Sequence, residues 1–438
     1  MYYIGISAYY HESSVFLTDN NGTDCFLKEE SFSRIKGDKN FPQRSLKFLI
    51  KKFDLKNDNI KSICFYEKPF KSWWEIFKYS IKNPLENRDF LIHHLKNFNE
   101  GSIFFYADIN KLLNISRNKI VYSSHHLSHC LYGLSVIKNV SDYVYVTCDG
   151  VGEGETMSIY TIDSNFKIKK IWTNFYPDSI GLFYSTITEY LGFEINEGEF
   201  KVMSLSSFGN PIYENKIRQL IDIKEDGTFR LDQKYFNYAT GLTMTNKNFH
   251  NLFERKPRNP ESEKISQFHM DIAASIQKIT EEIMIKLAKS IRKEYGIKNL
   301  CLAGGVALNC VANGKLLKEK IFKNIWIQPA AGDAGGSLGA ALAYWYHELN
   351  NKRVPSDNSM KGSYLGPSYK DDEIENDLKK LNAKFIKLDE SNLVKIVAKK
   401  LSENNTVGWF QGKMEFGPRA LGARSILADP RSDKMQKE

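Results

Sequence analysis

The sequence predicts an α/β protein in which one α/β domain is built twice and is followed by a smaller α/β domain. The chain opens with a strand, a turn of small residues and a second strand over residues 2–18, and the same pattern returns over residues 142–161. Helices and further strands follow each of these units, as expected for two related halves. The length of 438 residues also exceeds an ordinary single core, which favours more than one domain.

Composition narrows the class of protein further. Six cysteines occur without a CxxC pair, and no apolar stretch is long enough to span a membrane, so we expect a reduced, cytoplasmic protein. The formal net charge of +9 is spread over Lys-rich stretches such as residues 36–39 and 167–170. This distribution favours anionic small molecules over nucleic acid as partners.

The first half begins with a buried strand at residues 2–8, a turn at 9–14 and a strand at 15–18. Asn20–Gly22 signals a hairpin that leads to a third strand at 25–28. The small residues of the first turn place backbone N–H groups where a phosphate can lie. His11 lies in this turn and has two readings, a surface turn residue or an active-site base.

A helix at residues 44–53, a strand at 60–66 and helices within 71–114 lead to a cluster of three histidines. His125 and His129 are four residues apart at the start of a predicted helix and therefore share one face. Two imidazoles so placed can bind one divalent metal ion; the alternative is a buried helix with hydrogen-bonded histidines. His126 points roughly a quarter turn away and is assigned to substrate or phosphate.

The second unit carries an acidic, glycine-rich turn between strands at 142–148 and 157–161. Gly150 and Gly152 allow the backbone to approach a phosphate closely, and Asp149 is placed to hold a metal or a nucleotide-bound water. An acidic hairpin without function is the alternative. A capped helix at 179–192 follows, and Lys201 at the next helix start is a candidate anion contact or a solvated lysine.

Residues 210–262 are polar and irregular, and a core helix over 264–294 follows them. A strand at 299–303 then runs into Gly304 and Gly305, which open a helix carrying Asn309; this junction is typical of nucleotide contacts. A strand at 324–328 precedes a helix at 334–348, with Asp333 at its N-terminal edge. Asp333 reads either as a helix cap or as a third metal ligand.

We predict that the first domain covers residues 1–350 and that 351–361 form a linker before the second domain at 362–438. Strands at 383–387 and 406–410 flank a helix at 391–402. The loop 411–425 then carries three cations, Lys413, Arg419 and Arg424, with glycines between them. Such a loop is suited to phosphate; the alternative is a basic surface loop.

The repeated half is the pattern of actin-like ATPases, which bind a nucleotide in the cleft between the halves. The chain also resembles the O-carbamoyltransferases of the NodU/CmcH type over nearly its whole length, except at 71–114 and 210–262. The resemblance is carried by residues 5–14 (Gly-Ile-Ser-Ala-Tyr-Tyr-His-Glu-Ser-Ser), 125–129 (His-His-Leu-Ser-His), 149–153 (Asp-Gly-Val-Gly-Glu), 302–313, 328–333 and 414–422 (Met-Glu-Phe-Gly-Pro-Arg-Ala-Leu-Gly).

The resemblance implies a two-step biosynthetic reaction. A second domain similar to threonylcarbamoyl-adenylate synthases (YrdC-like) uses carbamoyl phosphate and ATP with Mg²⁺ to make carbamoyl-adenylate. The actin-like domain then moves the carbamoyl group to a hydroxyl of a small molecule such as a sugar, an antibiotic or a glycolipid. Family members continue past the 414–422 motif, so the second domain is expected to be incomplete here.

The resemblance also implies roles for individual residues. His125, His129 and Asp333 would bind Fe²⁺ or a related metal, and His11 would be the base, with His126 as a second catalytic candidate. Lys413, Arg419 and Arg424 would bind carbamoyl phosphate or nucleotide. Nucleotide or phosphate contacts are expected from Asp149, Gly150, Gly152, Lys201, Gly304, Gly305 and Asn309. A homodimer is the assembly to test.

Two other functions are weighed against this one. An actin-like sugar kinase would release ADP instead of AMP and gives no role to the histidine cluster. A non-catalytic subunit that binds nucleotide or RNA would show salt-sensitive RNA binding without a metal.

Overall fold

A computed structural model describes residues 1–19, 24–81, 87–97, 101–135, 137, 139–352 and 360–435. The hairpin turn predicted at Asn20–Gly22 and most of the predicted linker therefore lie outside the described residues.

The first sheet has five strands in the order β3-β2-β1-β4-β5. Its central strand β1 is almost wholly buried, because helices cover both faces, and this explains its continuous apolar sequence. β1 pairs antiparallel with β2 and parallel with β4. The strands are β1 (Tyr2–Ser7), β2 (Ser14–Asp19), β3 (Cys25–Lys28), β4 (Ile60–Phe65) and β5 (Ile120–Tyr122).

The second main sheet repeats this connectivity, with the order β12-β11-β6-β7-β8. Its first strand, β6, again pairs antiparallel with the next strand and parallel with a later one, β11. A small antiparallel pair, β9 with β10, lies outside it. The strands are β6 (Tyr143–Gly152), β7 (Glu155–Ile162), β8 (Ile168–Phe175), β9 (Ile221–Ile223), β10 (Phe229–Leu231), β11 (Asn299–Ala303) and β12 (Asn324–Ile327).

Helices cover both sheets. The longest, α11, starts at a capping box of Ser266 and His269 and ends at Gly296 in the left-handed conformation. The helices of this region are α1 (Glu30–Ser33), α2 (Gln43–Phe53), α3 (Pro69–Ser80), α4 (Arg88–Asn97), α5 (Phe105–Leu113), α6 (His125–Tyr132), α7 (Ile180–Tyr190), α8 (Glu199–Leu205), α9 (Glu214–Ile217), α10 (Lys247–Phe253), α11 (Gln267–Tyr295), α12 (Cys310–Lys318) and α13 (Gly336–Leu342).

Two of these helices, α6 and α13, pack unusually closely. A Cβ atom added at Gly339 would lie only 1.8 Å from the carbonyl oxygen of Ser128. Glycine at this position therefore allows the two backbones to meet. As a result, the histidine helix and the start of α13 face each other between the two sheets. Residues 343–348, which were predicted as the end of this helix, form a π-helical turn (Ala343–Glu348).

The C-terminal part contains α14 (Asp371–Lys380), α15 (Glu390–Ser402) and the antiparallel pair β13 (Val407–Phe410) with β14 (Arg424–Leu427). The strand predicted at 383–387 is absent, and this prediction was wrong. The segment has no partner strand among the described residues, and Phe385 and Ile386 are exposed instead of packing on a sheet face. The helix α14 and the strands β8 and β14 were not predicted.

Phe416 joins the C-terminal part to the first sheet. It is fully buried, and its ring lies 4.0 Å from that of Phe26 and 5.5 Å from that of Tyr132, the last residue of α6. The segment 414–419 is thereby held beside the histidine helix.

Replacing Phe416 with alanine is expected to lower the free energy of unfolding by about 3–5 kcal/mol, because a buried ring leaves a cavity that cannot collapse fully. Urea unfolding followed by near-UV circular dichroism measures the change. Phe208→Ala is the control, since that ring is 66% exposed and should shift stability by less than about 0.5 kcal/mol. Equal losses in the two variants would contradict the packing described here.

Candidate metal centre and adjoining cavity

Two imidazoles and two carboxylates converge between the sheets. The side chains of His125, His129, Asp149 and Asp333 bring one possible ligand atom each to within 4.8 Å of one another. The Nε2 atoms of the two histidines lie 3.2 Å apart, and each lies 3.1 Å from Oδ2 of Asp149. Oδ1 of Asp333 lies 3.8 Å from His125 Nε2 and 3.5 Å from His129 Nε2.

The local structure explains this convergence. His125 and His129 lie one turn apart on α6, and Glu153 fixes the start of that helix by accepting a hydrogen bond from the His125 N–H. The pairing of β6 with β7 is irregular between Cys148 and Gly152, which turns Asp149 out of the ladder. A Cβ at Gly152 would lie 2.1 Å from Cδ2 of His125, so glycine makes room for the ring.

The charges of the cluster are strongly coupled. Burial lowers the pKa of His125, but the hydrogen bond to Asp149 and the charge of Asp333 outweigh it and raise the pKa to about 9. The pKa of His129 is raised for the same reasons, against burial. Burial would raise the pKa of Asp149, yet the two histidines hold it well below its usual range. Positive charge is therefore favoured at the centre of the cluster.

The same residues fit a divalent cation. Oδ2 of Asp333 is buried and has no hydrogen-bond partner among the described atoms. Four ligand groups around one point, two nitrogen and two oxygen, suit a transition-metal ion such as Fe²⁺ or Zn²⁺. Asp333, for which a helix-cap role was the alternative, does not occupy a cap position, because Gly332 precedes its 3₁₀ turn and Gly335 precedes α13.

A cavity of about 500 Å³ adjoins the cluster, and Asp149 and Asp333 belong to its wall. It also contains several of the other predicted site residues: His11, Gly150, Gly305, Asn309 and Arg419.

His11 lies at the cavity wall between two carboxylates. Its Nε2 lies 3.6 Å from Glu197 Oε1, and its Nδ1 lies 3.8 Å from Glu12 Oε2. Burial lowers the pKa of His11, but Glu197, Glu12 and Asp333 together raise it to about 9. Glu12 is in turn held by Lys28, whose Nζ lies 2.7 Å from Oε1 of Glu12.

The glycine junctions bring backbone N–H groups to the same place. The N–H groups of Gly150 and Gly305 donate to Oδ1 of Asp149 at 2.8 and 3.3 Å. Gly304 has φ +88, and a Cβ there would lie 2.3 Å from the carbonyl oxygen of Cys148, so only glycine fits. The predicted helix after Gly305 is a short 3₁₀ turn at 305–308, and α12 begins at Cys310 with Asn309 as its cap.

Eight predicted site residues do not line the cavity, namely His125, His126, His129, Gly152, Lys201, Gly304, Lys413 and Arg424. His126 is fully buried and points about a quarter turn away from His125 and His129, with its Nδ1 2.8 Å from Ser158 Oγ. Lys201 is exposed and lies over the rings of Phe193 and Phe200.

The cationic loop does not close into one nest. Arg424 stacks on Phe410 with 3.4 Å to the ring centroid and donates to carbonyl oxygens of its own loop, so it shapes that loop. Lys413 is exposed and does not line the cavity. Arg419 does line it, with its guanidinium 5.0 Å from the centroid of the Phe200 ring. The three cations predicted to bind phosphate together are therefore separated.

Sequence reasoning missed several cavity residues, among them Lys36, Glu197 and Glu199. In the sequence, Lys36 is part of a Lys-rich stretch, residues 36–39, which was treated only as part of the overall positive charge. Sequence reasoning also missed Glu415. Its Oε1 accepts hydrogen bonds from the N–H groups of Leu421, Ala423 and Arg424 and so holds the loop that carries Arg419. Its place in the 414–422 motif was the available signal.

Two family models match most of the chain. The family described as Carbamoyltransferase N-terminus matches residues 2–342, and Carbamoyltransferase C-terminus matches residues 398–438. The protein sll1178 of Synechocystis is 44% identical over 99% of this chain and 72% of its own length. The nodulation protein NolNO of Sinorhizobium fredii is 30% identical over 97% of this chain, which spans 59% of that relative. Among solved structures, component A of (R)-2-hydroxyglutaryl-CoA dehydratase from Acidaminococcus fermentans is 13% identical, with a TM-score of 0.41 over 80% of this chain and 100% of that one.

Proposed function

The chain belongs to the carbamoyltransferase family, and we propose that it moves a carbamoyl group from carbamoyl phosphate, through an ATP-derived carbamoyl-adenylate, to a hydroxyl group of a small molecule. The observation that carries this proposal is the buried cluster of two histidines and two aspartates that opens into a cavity beside His11. A single cavity thus offers a cation site, a proton acceptor and room for a nucleotide-sized ligand.

The cavity wall suits an adenylate. Gly150 and Gly305 let a phosphate approach the backbone, and Arg419 supplies a cation at the same wall. We assign Tyr184 and Asn309, which line the cavity and are both hydrogen-bonded to Gln277, to contacts with the nucleoside. Thr280 also belongs to this wall, and its buried hydroxyl has no hydrogen-bond partner among the described atoms.

His125, His129, Asp149 and Asp333 would hold the divalent cation, with Fe²⁺ as the ion we expect. When bound, the ion supplies Lewis-acid polarisation of a carbamoyl or phosphate oxygen. The two histidines and Asp333 are buried and Asp149 is half-buried, so the protein shields the ion from most of the solvent.

His11 is the proposed base. Its buried Nε2 has no hydrogen-bond partner among the described atoms and accepts the proton of the acceptor hydroxyl. The oxygen then bonds to the carbamoyl carbon, the bond from that carbon to the phosphate oxygen breaks, and AMP leaves. Glu12 and Glu197 stabilise the imidazolium that forms.

The shared strand order of the two sheets supports two halves of an actin-like domain, with the cavity between them. We assign the C-terminal part to an adenylate-forming, YrdC-like unit, on the resemblance of the 414–422 motif. Bound ATP with Mg²⁺, a cytoplasmic location and a homodimer remain predictions. No helix of the described residues is long and apolar enough to cross a membrane.

Product analysis tests this function directly. The purified protein is incubated under anaerobic conditions with Fe²⁺, ATP, carbamoyl phosphate and a panel of hydroxylated acceptors, and mass spectrometry detects carbamoylated products. We expect a carbamoyl adduct and AMP, both dependent on carbamoyl phosphate. ADP formation without an adduct would instead favour a sugar kinase, and RNA binding without metal or turnover would favour a non-catalytic subunit.

A further inference from the structure

His126, which lies between the two metal-binding histidines in sequence, belongs to a buried polar chain behind α6. Its Nδ1 lies 2.8 Å from Ser158 Oγ, and Ser158 Oγ lies 2.9 Å from Glu155 Oε2. Lys170, on the neighbouring strand β8, contacts both carboxylate oxygens of Glu155 at 2.5 and 2.7 Å. His126 and Ser158 are fully buried and Glu155 nearly so, whereas Lys170 reaches the surface.

The directions of these hydrogen bonds follow from the chemistry of the groups. An ionised carboxylate only accepts, so the single hydrogen of the Ser158 hydroxyl is donated to Glu155. Ser158 Oγ must then accept from His126, which places the imidazole hydrogen on Nδ1.

This chain fixes α6 at His126, about a quarter turn around the helix from the side that carries His125 and His129. A side chain that reaches about 6 Å from the helix axis moves by about 1 Å when the helix rolls by about 10°. Metal–ligand distances tolerate only about 0.2 Å. The close packing of α6 on α13 limits this roll, and the hydrogen bond from His126 to the strand β7 adds a directional restraint.

We propose that Glu155, Ser158 and His126 form a hydrogen-bonded anchor that sets the roll of α6, so that His125 and His129 face Asp149 and Asp333. These three are positioning residues, and Lys170 keeps the carboxylate of Glu155 in place. The inference rests on the metal centre of the proposed function.

Ser158→Ala tests the anchor, because it removes the hydroxyl without adding volume. We expect the affinity for Co²⁺, used as a spectroscopic probe, to fall about 10- to 100-fold, with altered visible absorption bands. Ser158→Thr retains the hydroxyl and should restore both readouts. Ser275→Ala is the matched control, since Ser275 is a fully buried serine that makes two hydrogen bonds far from the cluster, on α11.

Nuclear magnetic resonance of ¹⁵N-labelled histidine provides a readout that needs no metal. We expect His126 to carry its hydrogen on Nδ1 in the wild type and to lose this preference in Ser158→Ala. Wild-type Co²⁺ affinity and spectrum in Ser158→Ala would overturn the anchor while leaving the metal centre intact. Absence of Co²⁺ binding in the wild type would overturn the metal centre and, with it, the purpose assigned to the anchor.

Discussion

Replacing His129 with alanine is expected to weaken binding of a divalent cation by more than about 100-fold and to abolish carbamoyl transfer. His129 is fully buried, and its Nε2 lies within 3.5 Å of both Asp149 and Asp333. Its loss leaves two carboxylates with one imidazole. Loss of one ligand should exceed the 10- to 100-fold effect typical of residues that only support a ligand.

Metal content after anaerobic loading with Fe²⁺, and the rise in melting temperature on adding Co²⁺, measure this loss. A ligand that binds only the folded state stabilises it by about 4 kcal/mol at 1,000 times its dissociation constant, so the wild type should show a clear shift. His269→Ala is the control, because that histidine is also buried but lies at the start of α11. A His129→Ala protein that loads metal like the wild type would remove this cluster as the metal centre.

The histidine pair illustrates how much of the site a sequence can predict. A spacing of four residues on a helix fixes two side chains on one face whatever the rest of the fold does. The carboxylates of the cluster are different, because their positions depend on contacts between distant segments. Asp149 is turned towards the histidines by an irregularity in β6, and Asp333 is brought there by the close packing of α6 on α13. Sequence alone left two readings for each aspartate.

The unpredicted features depend on tertiary neighbours in the same way. The sequence does not determine whether the side chain of His126 faces the cavity or the sheet. Its hydrogen bond to Ser158 on β7 shows that it faces the sheet. Residues 383–387 have the alternation of a strand, but a strand forms only where another can pair with it. Lys36 and Glu197 reach the cavity from separate loops, and no periodic pattern marks a loop residue as functional.

Replacing His11 with asparagine is expected to lower kcat for carbamoyl transfer by about 10²- to 10⁴-fold, the usual contribution of a positioned general base. Metal loading should stay at the wild-type level, because His11 is outside the ligand cluster. A base must be unprotonated to act, and the pKa of His11 is raised to about 9 by Glu197, Glu12 and Asp333 against the effect of burial. The wild-type kcat/KM should therefore rise with pH along a limb that levels off at or below about pH 9. A bound cation would lower this pH, because it cancels the charge of Asp333, one of the charges that raise the pKa of His11.

The position of this limb separates a base from a residue that only shapes the cavity. Glu197→Gln removes one of the charges that raise the pKa of His11, so the limb should move to lower pH while most of the maximal rate is kept. His11→Asn should lose the limb together with the rate. Rates of carbamoyl transfer to a fixed acceptor, measured from pH 6 to about pH 10, distinguish these cases. If His11→Asn retained the wild-type limb, another group would have to accept the hydroxyl proton, and the candidates beside His11 at the cavity wall are Glu197 and Glu12.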